Sequence, residues 1–442
     1  MSCKQRWRTL GGARLRRRCR HDLCDLSNVC MESALMLIDA SDYSPASLPP
    51  RRAAAAAGSA VAGVVPKQRI AVLSSYSRSL TNFRLELLRR LVEAGHSVLA
   101  VGPEQDEDVV RQLAAIGVEF VRSPMARTGL NPLTDLATLW SYWRLFRSRQ
   151  IDVVIPYTMK PIVYGGIAAR LAGVKRRYFL VTGLGHVYSE AAGKRWVGRR
   201  IKQLSVLLYR LALKGAGGVF AYNRADSADI ESCRLISDQR DLTLVPGSGV
   251  DLDHYAFSSP PSGRPVFLLI ARLLKDKGIG EYAEAARLVR QQFPDAEFRL
   301  LGQFDPSPAA IAAETIDGWV KDGSLNYLGE TTDVRPHLSD CSVFVLPSYY
   351  REGIPRSILE AMSTGRAIVT TDLPGCDETV VDGLNGYLVE PRNAKQLAEA
   401  MCRFLRAPSL ITDMGLRSRE LAQSKFDVHA VNKLLLERMA LI

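Results

Sequence analysis

Short apolar runs alternate along the chain with amphipathic segments. The run Ile70–Leu73 predicts a buried strand, Asn82–Ala94 places its apolar residues at helical spacing, and Ser97–Val101 predicts a second strand. Gly95 stands directly after the helical segment, where a left-handed residue commonly ends a helix. A strand, a helix and a strand in this order predict neighbouring parallel strands.

The same alternation continues and then starts a second time. In the first half it predicts a helix over Val163–Ala172 and strands over Asp152–Pro156, Arg177–Thr182, Gly218–Tyr222 and Leu242–Val245. In the second half it predicts helices over Ile279–Phe293 and Arg356–Thr364 and strands over Val266–Ile270, Glu297–Leu301, Asn326–Leu328, Ser342–Leu346, Ala367–Thr371 and Tyr387–Val389. This pattern predicts an α/β protein with two Rossmann-like halves facing each other across a cleft.

The expected domains follow from where this pattern starts and stops. Residues 1–66 show no sustained period and combine an Arg cluster with an Ala-rich run, so we predict a disordered extension. The remaining segments are a first Rossmann-like domain at 67–250, a link at 251–264, a second Rossmann-like domain at 265–425, and a C-terminal helix at 426–442 that we expect to pack toward the first domain.

Composition and charge narrow the possible partners. The formal net charge of +12 suits an anionic partner, which could be nucleic acid, an anionic membrane or a phosphorylated substrate. We exclude nucleic acid because the basic residues lack interleaved aromatic residues and no recognised binding module is present. No stretch of about 18 apolar residues occurs, so any membrane contact should be peripheral. The scattered cysteines do not resemble a disulfide framework.

An acidic segment carries the most informative chemistry, PSYYREGIPRSILEAMSTGRAIVTTD at 347–372. Glu352 should lie in a loop after a buried strand, and Glu360 in the helix that begins near Pro355. Gly353 allows a ligand to approach the backbone, and the helix N-terminus offers N–H groups to a phosphate. Such an arrangement could hold a nucleotide sugar.

A basic segment follows the first predicted strand of the second half, in ARLLKDKG. Arg272 and Lys277 should stand together at the carboxyl end of that strand, where two cations can neutralise a diphosphate. Negative charge accumulates on a departing diphosphate in the transition state, so fixed cations would accelerate its release. An ordinary basic loop is the alternative, and it would be preferred if the acidic segment were missing.

Together these segments resemble glycosyltransferase family 4. The resemblance rests on Arg272 and Lys277, on EGIPRSILEAMSTGRAIVTTDLPGCDETV, and on SGVDLDHY between the halves. In the first half SLTNFRLELLRRL, YTMKPIVYGGIAARLAGV and TGLG are similar to the bacterial subgroup that adds N-acetylhexosamines or related sugars to undecaprenyl-diphosphate-linked saccharides. The similarity covers roughly residues 69–430. It implies a GT-B fold and a retaining transferase with an acceptor-binding first domain and a donor-binding second domain.

The resemblance also implies roles for individual residues. Arg272 and Lys277 would hold the donor diphosphate, Glu352 would contact the donor sugar, and Glu360 would take the ribose hydroxyls. The donor pocket would further include Gly353, Ile354, Pro355, Arg356 and Ser357. Many family members place a histidine near the donor sugar, and His186 in TGLGHVYS is the candidate here; a structural loop histidine is the alternative.

We expect neither a cofactor nor a metal ion. Two D-x-D triplets occur, at Asp106–Asp108 and Asp251–Asp253. The first opens a predicted helix, where acids favour the helix dipole, and the second lies in the interdomain link. Since Arg272 and Lys277 are available for the diphosphate, a metal would be unnecessary.

The acceptor side is predicted from the segment Lys194–Lys214. Its apolar stripe comprises Val197, Ile201, Leu204, Leu208 and Leu211, with Arg195, Arg199, Lys202 and Arg210 on the opposite face. A basic amphipathic helix of this kind could lie on anionic lipid, or it could simply pack on its own domain. With the subgroup resemblance, it predicts a peripheral enzyme at the inner face of the plasma membrane that uses a UDP-sugar and a lipid-linked saccharide.

Two other functional classes remain open at this point. A nucleotide-sugar epimerase with a similar two-domain fold would consume the donor without an acceptor. A catalytically silent membrane-binding protein would release no nucleoside diphosphate with any donor or acceptor. The donor sugar itself depends on a few pocket contacts that the motifs do not specify.

Overall fold

The structure is a computed structural model that describes residues 66–125, 132–184 and 196–442. All of these residues belong to one compact unit. Their strands form two sheets, and every pairing within each sheet is parallel. The predicted α/β class is confirmed.

The first sheet has seven strands in the order β3-β2-β1-β4-β5-β6-β7. Its strands are β1 Arg69–Leu73, β2 Ser97–Gly102, β3 Glu119–Arg122, β4 Val153–Pro156, β5 Arg176–Val181, β6 Gly218–Ala221 and β7 Leu242–Leu244. Its α-helices are Arg78–Asn82, Leu85–Glu93, Glu107–Ala115, Pro132–Ser148, Gly166–Leu171, Trp196–Leu213 and Arg224–Ser232. The central strands are buried along their length because helices cover the sheet, which explains their continuous apolar runs.

The second sheet has six strands in the order β10-β9-β8-β11-β12-β13. Its strands are β8 Val266–Ile270, β9 Glu297–Leu301, β10 Asn326–Tyr327, β11 Val343–Leu346, β12 Ala367–Thr371 and β13 Gly386–Val389. Its α-helices are Ile279–Gln292, Ala313–Lys321, Arg335–Ser339, Arg356–Ser363, Ala394–Arg406 and Ser409–Lys425. The strand order reverses between β8 and β11, and ligands of such sheets bind in the crevice outside the carboxyl ends at that reversal.

The chain crosses between the two halves twice, and the two crossings pair. Val250 donates its N–H to the oxygen of Phe426 at 2.7 Å, and Val428 returns an N–H to Val250 at 3.0 Å. The final helix, Val428–Arg438, then packs on the first half, where the phenol of Tyr178 donates to the oxygen of Met439 at 2.8 Å. The last residues of the chain are therefore part of the first core.

Two predicted helices of the first half need correction. The helix predicted over Asn82–Ala94 is interrupted: one helix ends at Asn82 and the next begins at Leu85. Between them Arg84 turns inward, with its guanidinium 4.9 Å from the ring centre of Tyr157. The segment predicted as one helix over Val163–Ala172 begins instead as a π-helix at Pro161–Gly165 and continues as an α-helix. Hydrophobic spacing alone does not reveal such an extra residue per turn.

Candidate active site

The loop after β8 carries the two predicted cations. Arg272 follows β8 by two residues, and Lys277 ends a short 3-10 turn. Gly278 has φ of 74°, and a Cβ at this position would collide with the carbonyl oxygen of Pro347. Because glycine avoids both penalties, the loop after β8 can touch the loop after β11. The two loops that flank the reversal of strand order are thereby joined.

Lys277 and Glu352 form an ion pair at this point. Nζ of Lys277 contacts Oε1 of Glu352, and Ser348 Oγ donates to the same oxygen at 2.9 Å. The two charged side chains are only 16% and 12% exposed, so solvent and salt screen their attraction less than at the surface. The backbone is fixed alongside them, since the N–H of Tyr349 donates to the oxygen of Asp276 at 2.9 Å. Two predicted site residues from distant segments are thus brought into contact.

Arg272 has a different partner. Its Nη1 donates to Oδ2 of Asp305 at 2.8 Å, and Asp305 also accepts the N–H of Ser307 at 2.9 Å. Burial opposes the ionisation of Asp305, but the Ser307 hydrogen bonds and the Arg272 guanidinium prevail and lower its pKa. Arg272 therefore lies on the same loop as Lys277 but is held by a carboxylate that the motif analysis did not identify. No direct contact joins Arg272 to Glu352 among the interactions of the described residues.

Glu360 is buried and has partners of its own. It is part of the helix Arg356–Ser363 and accepts a hydrogen bond from Nε of Arg356 at 3.2 Å. Arg356 also donates from Nη1 to the oxygen of Gly249 at 2.8 Å, in the link between the halves. Burial raises the pKa of Glu360, although the charge of Arg356 opposes the shift. The structure does not bring Glu360 into contact with Glu352.

The residues between the two carboxylates form the start of this helix. Pro355 occupies the N-cap position, so the helix begins one residue later than expected of a first-turn proline. A Cβ on Gly353 would collide with the oxygen of Thr182, and Ile354 is buried against Gly247. Ser357 is half-buried in the first turn. The backbone from Gly353 onward is therefore in close contact with the first half of the molecule.

Three residues that the motif analysis did not single out connect the two halves beside Glu352. Asn223 donates from Nδ2 to the carbonyl oxygen of Glu352 at 3.0 Å, across the two halves. The same amide donates to Oδ2 of the buried Asp226 at 2.8 Å. Arg351 approaches Oδ1 of Asp226 at 3.5 Å. A helix-capping asparagine followed three residues later by aspartate is common in sequences, so its motif alone gives no functional signal.

The remaining predictions concern His186 and the two acidic triplets. His186 lies outside the described residues. Asp106 caps the helix Glu107–Ala115 and pairs with Arg78, while Asp251 accepts the N–H groups of Asp253 and His254. Among the residues that the structure describes, no three His, Cys, Asp or Glu side chains converge as a metal site would require.

Two helices of the first half expose apolar stripes. On Trp196–Leu213 the exposed residues are Ile201, Leu204, Leu207 and Leu211, with Leu204 57% exposed; Leu208 is half-buried, and the side chain of Val197 lies outside the described part. On Pro132–Ser148 they are Leu133, Leu136 and Trp140, with Trp140 58% exposed. Both helices pack against Gly166–Leu171. The helix Trp196–Leu213 packs on its own domain through the buried Tyr209 and Leu213, whereas Ile201, Leu204 and Leu211 of the predicted stripe face solvent. No helix of the described ranges is both long and apolar enough to cross a membrane.

The chemistry of this site follows from its position and charge. A lysine and an arginine lie at the carboxyl ends of the strands where nucleotides bind in such sheets, beside the N-terminus of an eight-residue helix. Cations and oriented N–H groups stabilise a diphosphate, and carboxylates accept hydrogen bonds from sugar hydroxyls. The arrangement is therefore suited to a ligand that combines a diphosphate with sugars.

Two protein-family models match the chain, one in each half. A model described as a glycosyl transferase 4-like domain matches residues 80–246, and a model described as glycosyl transferases group 1 matches residues 264–407. The N,N'-diacetylbacillosaminyl-diphospho-undecaprenol alpha-1,3-N-acetylgalactosaminyltransferase of Campylobacter jejuni is 27% identical over 355 residues, which are 77% of this chain and 90% of that protein. The UDP-Gal:alpha-D-GlcNAc-diphosphoundecaprenol alpha-1,3-galactosyltransferase of Escherichia coli is 27% identical over 63% of this chain and 73% of its own length.

Solved structures share the same fold. HepE of Anabaena, in complex with UDP-glucose, superposes with a TM-score of 0.67 at 18% identity, over 85% of this chain and 100% of that one. The sucrose-phosphate synthase of Thermosynechococcus elongatus gives a TM-score of 0.67 at 19% identity, over 84% of this chain and 98% of its own. Two parallel Rossmann-like sheets and these neighbours confirm the GT-B architecture. The chain is a glycosyltransferase and belongs to the family defined by the glycosyl transferase 4-like and group 1 domains.

Proposed function

We propose that this glycosyltransferase moves a sugar, an N-acetylhexosamine or a related hexose, from a UDP-sugar to a polyprenyl-diphosphate-linked saccharide with retention of configuration, during assembly of a cell-surface polysaccharide. The observation that carries the donor assignment is the Lys277–Glu352 pair at the reversal of strand order. The acceptor assignment is supported by the Campylobacter jejuni relative, whose similarity spans most of both chains.

In the proposed mechanism, the charged side chains that act on the donor belong to the second half. Arg272 and Lys277 stabilise the negative charge that develops on UDP as it leaves, which is worth about 3 kcal/mol for one well-placed donor. Glu352 holds hydroxyls of the donor sugar, and Glu360 with Arg356 forms the ribose pocket. The three N–H groups of the Lys277 ammonium allow it to keep Glu352 while it also contacts a phosphate.

A test of this function combines a donor panel with product analysis. Purified protein is incubated with individual UDP-sugars, with or without a polyprenyl-diphosphate-linked saccharide, and released UDP is measured. We expect UDP release with one donor and only with acceptor, and NMR of the product should show the anomeric configuration of that donor. Consumption of the donor without acceptor would instead indicate an epimerase, and an inverted product would refute the retaining assignment.

The reaction as proposed requires no metal. The two acidic triplets engage in other contacts: Asp106 pairs with Arg78 at 2.6 Å, and Asp251 accepts the N–H of His254 at 2.9 Å. Since Arg272 and Lys277 supply positive charge to the diphosphate, we expect the UDP-release rate to be unchanged after extensive treatment with EDTA. A rate that falls with EDTA and returns with Mg²⁺ or Mn²⁺ would contradict this proposal.

We place the enzyme peripherally on the inner face of the plasma membrane, through the two exposed apolar stripes. The two stripes lie on helices that both pack against Gly166–Leu171, and apolar side chains that face solvent gain free energy on insertion at the lipid interface. Exposed arginines next to them, including Arg144, Arg147 and Arg199, favour anionic headgroups. This face lies on the first half, which would receive the lipid-linked acceptor.

Vesicle flotation tests this membrane face. We expect the protein to float with vesicles of phosphatidylglycerol and phosphatidylcholine, and a Leu204→Ser, Trp140→Ser double variant to remain at the bottom of the gradient. Leu416→Ser is the matched control, because Leu416 is also exposed but lies in the second half. Equal flotation of the double variant and the wild type would refute this face.

A further inference from the structure

The contact between the two halves beside Glu352 is built around a buried carboxylate. Asp226 is fully buried, and its Oδ1 accepts the N–H of Leu184 at 3.3 Å. Its Oδ2 accepts Nδ2 of Asn223 at 2.8 Å. Leu184 follows β5 in the loop of the first half that approaches Gly353, so Asp226 fixes that loop directly.

The same group of residues also holds the second half. Nδ2 of Asn223 donates to the carbonyl oxygen of Glu352 at 3.0 Å. Arg351, the residue before Glu352, lies 3.5 Å from Asp226 and 2.5 Å from Oδ2 of Asp229. Two consecutive residues of the donor loop are thus held by one helix of the first half, Arg224–Ser232 with its cap. We name Asn223, Asp226 and Arg351 the interdomain clasp.

Glycines allow the loops to come this close. A Cβ on Gly183 would lie 3.1 Å from the amide nitrogen of Gly353, at a φ of 127° that side chains rarely adopt. A Cβ on Gly375 would collide with the oxygen of Gly353 from the other side. The loop that carries Glu352 is therefore enclosed between the first half and the rest of its own domain.

We propose that the interdomain clasp is a positioning device: it holds the backbone of Arg351 and Glu352 against the first half and thereby orients the Glu352 carboxylate toward the donor sugar. The inference rests on the proposed role of Glu352 in holding the donor sugar. The residues proposed to bind the diphosphate and the ribose are Lys277, Arg272 and Glu360. Each of them has its charge partner within the second half. UDP binding is therefore expected to be independent of the clasp, while sugar transfer depends on it.

Asn223→Ser is the informative variant. Serine keeps a capping oxygen for the helix, which Asn223 now supplies to the N–H of Asp226 at 2.6 Å, but it removes Nδ2 and with it the link to Glu352. Asn393→Ser is the matched control, since Asn393 caps the helix Ala394–Arg406 in the same way and is not part of the site.

The experiment measures kcat, UDP affinity and hydrogen exchange on the full chain. We expect Asn223→Ser to lower kcat at least tenfold while the Kd for UDP changes less than threefold, with both quantities at wild-type values in Asn393→Ser. Arg351→Gln should lower kcat similarly, and the double variant should be little worse than either single variant because the residues act as one unit. Amide exchange of the peptide containing Arg351 and Glu352 should rise in Asn223→Ser.

Two results would overturn the clasp. One is a wild-type kcat in both Asn223→Ser and Arg351→Gln, measured with a wild-type protein that transfers sugar. The other is unchanged amide exchange around Glu352 in Asn223→Ser, which can be measured without any turnover. A wild-type protein that binds UDP but transfers no sugar would count against the proposed function, and the exchange experiment would still decide on the clasp.

Discussion

The ion pair between Lys277 and Glu352 leads to a prediction in which two damaging substitutions partly cancel. Lys277→Met removes the ammonium and leaves Glu352 charged in a place where its side chain is only 12% exposed. Glu352→Gln removes the opposite charge and keeps the size of the side chain. The double variant has neither charge, so it lacks the uncompensated carboxylate that Lys277→Met leaves behind.

The expected magnitude follows from the burial of the pair. Removal of one partner from a buried pair costs about 3 kcal/mol of unfolding free energy, whereas replacement of both is often close to neutral. We therefore expect Lys277→Met to lose about 3 kcal/mol and the double variant to stay within about 1 kcal/mol of the wild type. Affinity for UDP should fall in Lys277→Met by about 2 kcal/mol, roughly thirtyfold, since a charged hydrogen bond to phosphate is lost.

The measurements are denaturant unfolding and UDP titration of the wild type and the three variants. The surface pair Arg406–Glu399 provides the control cycle, because both of its side chains are about half exposed and such pairs contribute little, about 0–1 kcal/mol. If the double variant at Lys277 and Glu352 were as unstable as Lys277→Met alone, the two charges would not be coupled. The electrostatic description of the site would then be wrong.

Three further predictions concern neighbouring groups. Asp305→Asn removes the carboxylate that holds the guanidinium of Arg272. We therefore expect KM for the UDP-sugar to change severalfold while the free energy of unfolding stays nearly constant. Steady-state kinetics that match the wild type would refute a positioning role for Asp305. Arg272→Ala should lose more than Asp305→Asn in kcat/KM, because it removes the cation itself; equal losses would argue against direct contact with the diphosphate. Burial raises the pKa of Asp226 to about 6 from 3.8, so the folded protein holds a proton that the unfolded chain has released. Ionisation of Asp226 therefore lowers the stability of the folded state above that pKa. From about pH 7 to about pH 5, the wild type should gain about 1 kcal/mol of unfolding free energy relative to Asp226→Asn. A difference between the two proteins that does not change with pH would contradict this pKa.

The fold and the donor loops could be predicted because their signals are local. Buried parallel strands appear as continuous apolar runs, and every predicted strand begins and ends within one residue of an observed one. Lys277 and Glu352 were identified separately from two motifs, and strand order explains why they meet, since β8 and β11 are neighbours in the sheet. The helix Pro132–Ser148 was missed because it has apolar residues on two faces, with Tyr142 and Phe146 buried while Trp140 is exposed.

The contacts between the halves could not be predicted, because they depend on how two separately folded sheets meet. Asn223 looks like an ordinary helix cap, and only the tertiary structure places its amide on the oxygen of Glu352. Asp305 likewise follows β9 without any motif, yet it holds Arg272. A charged residue that acts on a site from another segment is recognised by its distance to the site and by its burial. The spacing of residues along the sequence gives neither quantity.

The most direct test of the account measures sugar transfer after removal of the two cations. UDP release from the preferred UDP-sugar and a polyprenyl-diphosphate-linked acceptor is followed for Arg272→Ala and Lys277→Ala, with Arg240→Ala, an exposed arginine of the first half, as the control. The account predicts that kcat falls at least a hundredfold in both site variants, as expected for loss of about 3 kcal/mol of transition-state stabilisation, and stays unchanged in the control. Wild-type turnover in both site variants would contradict it.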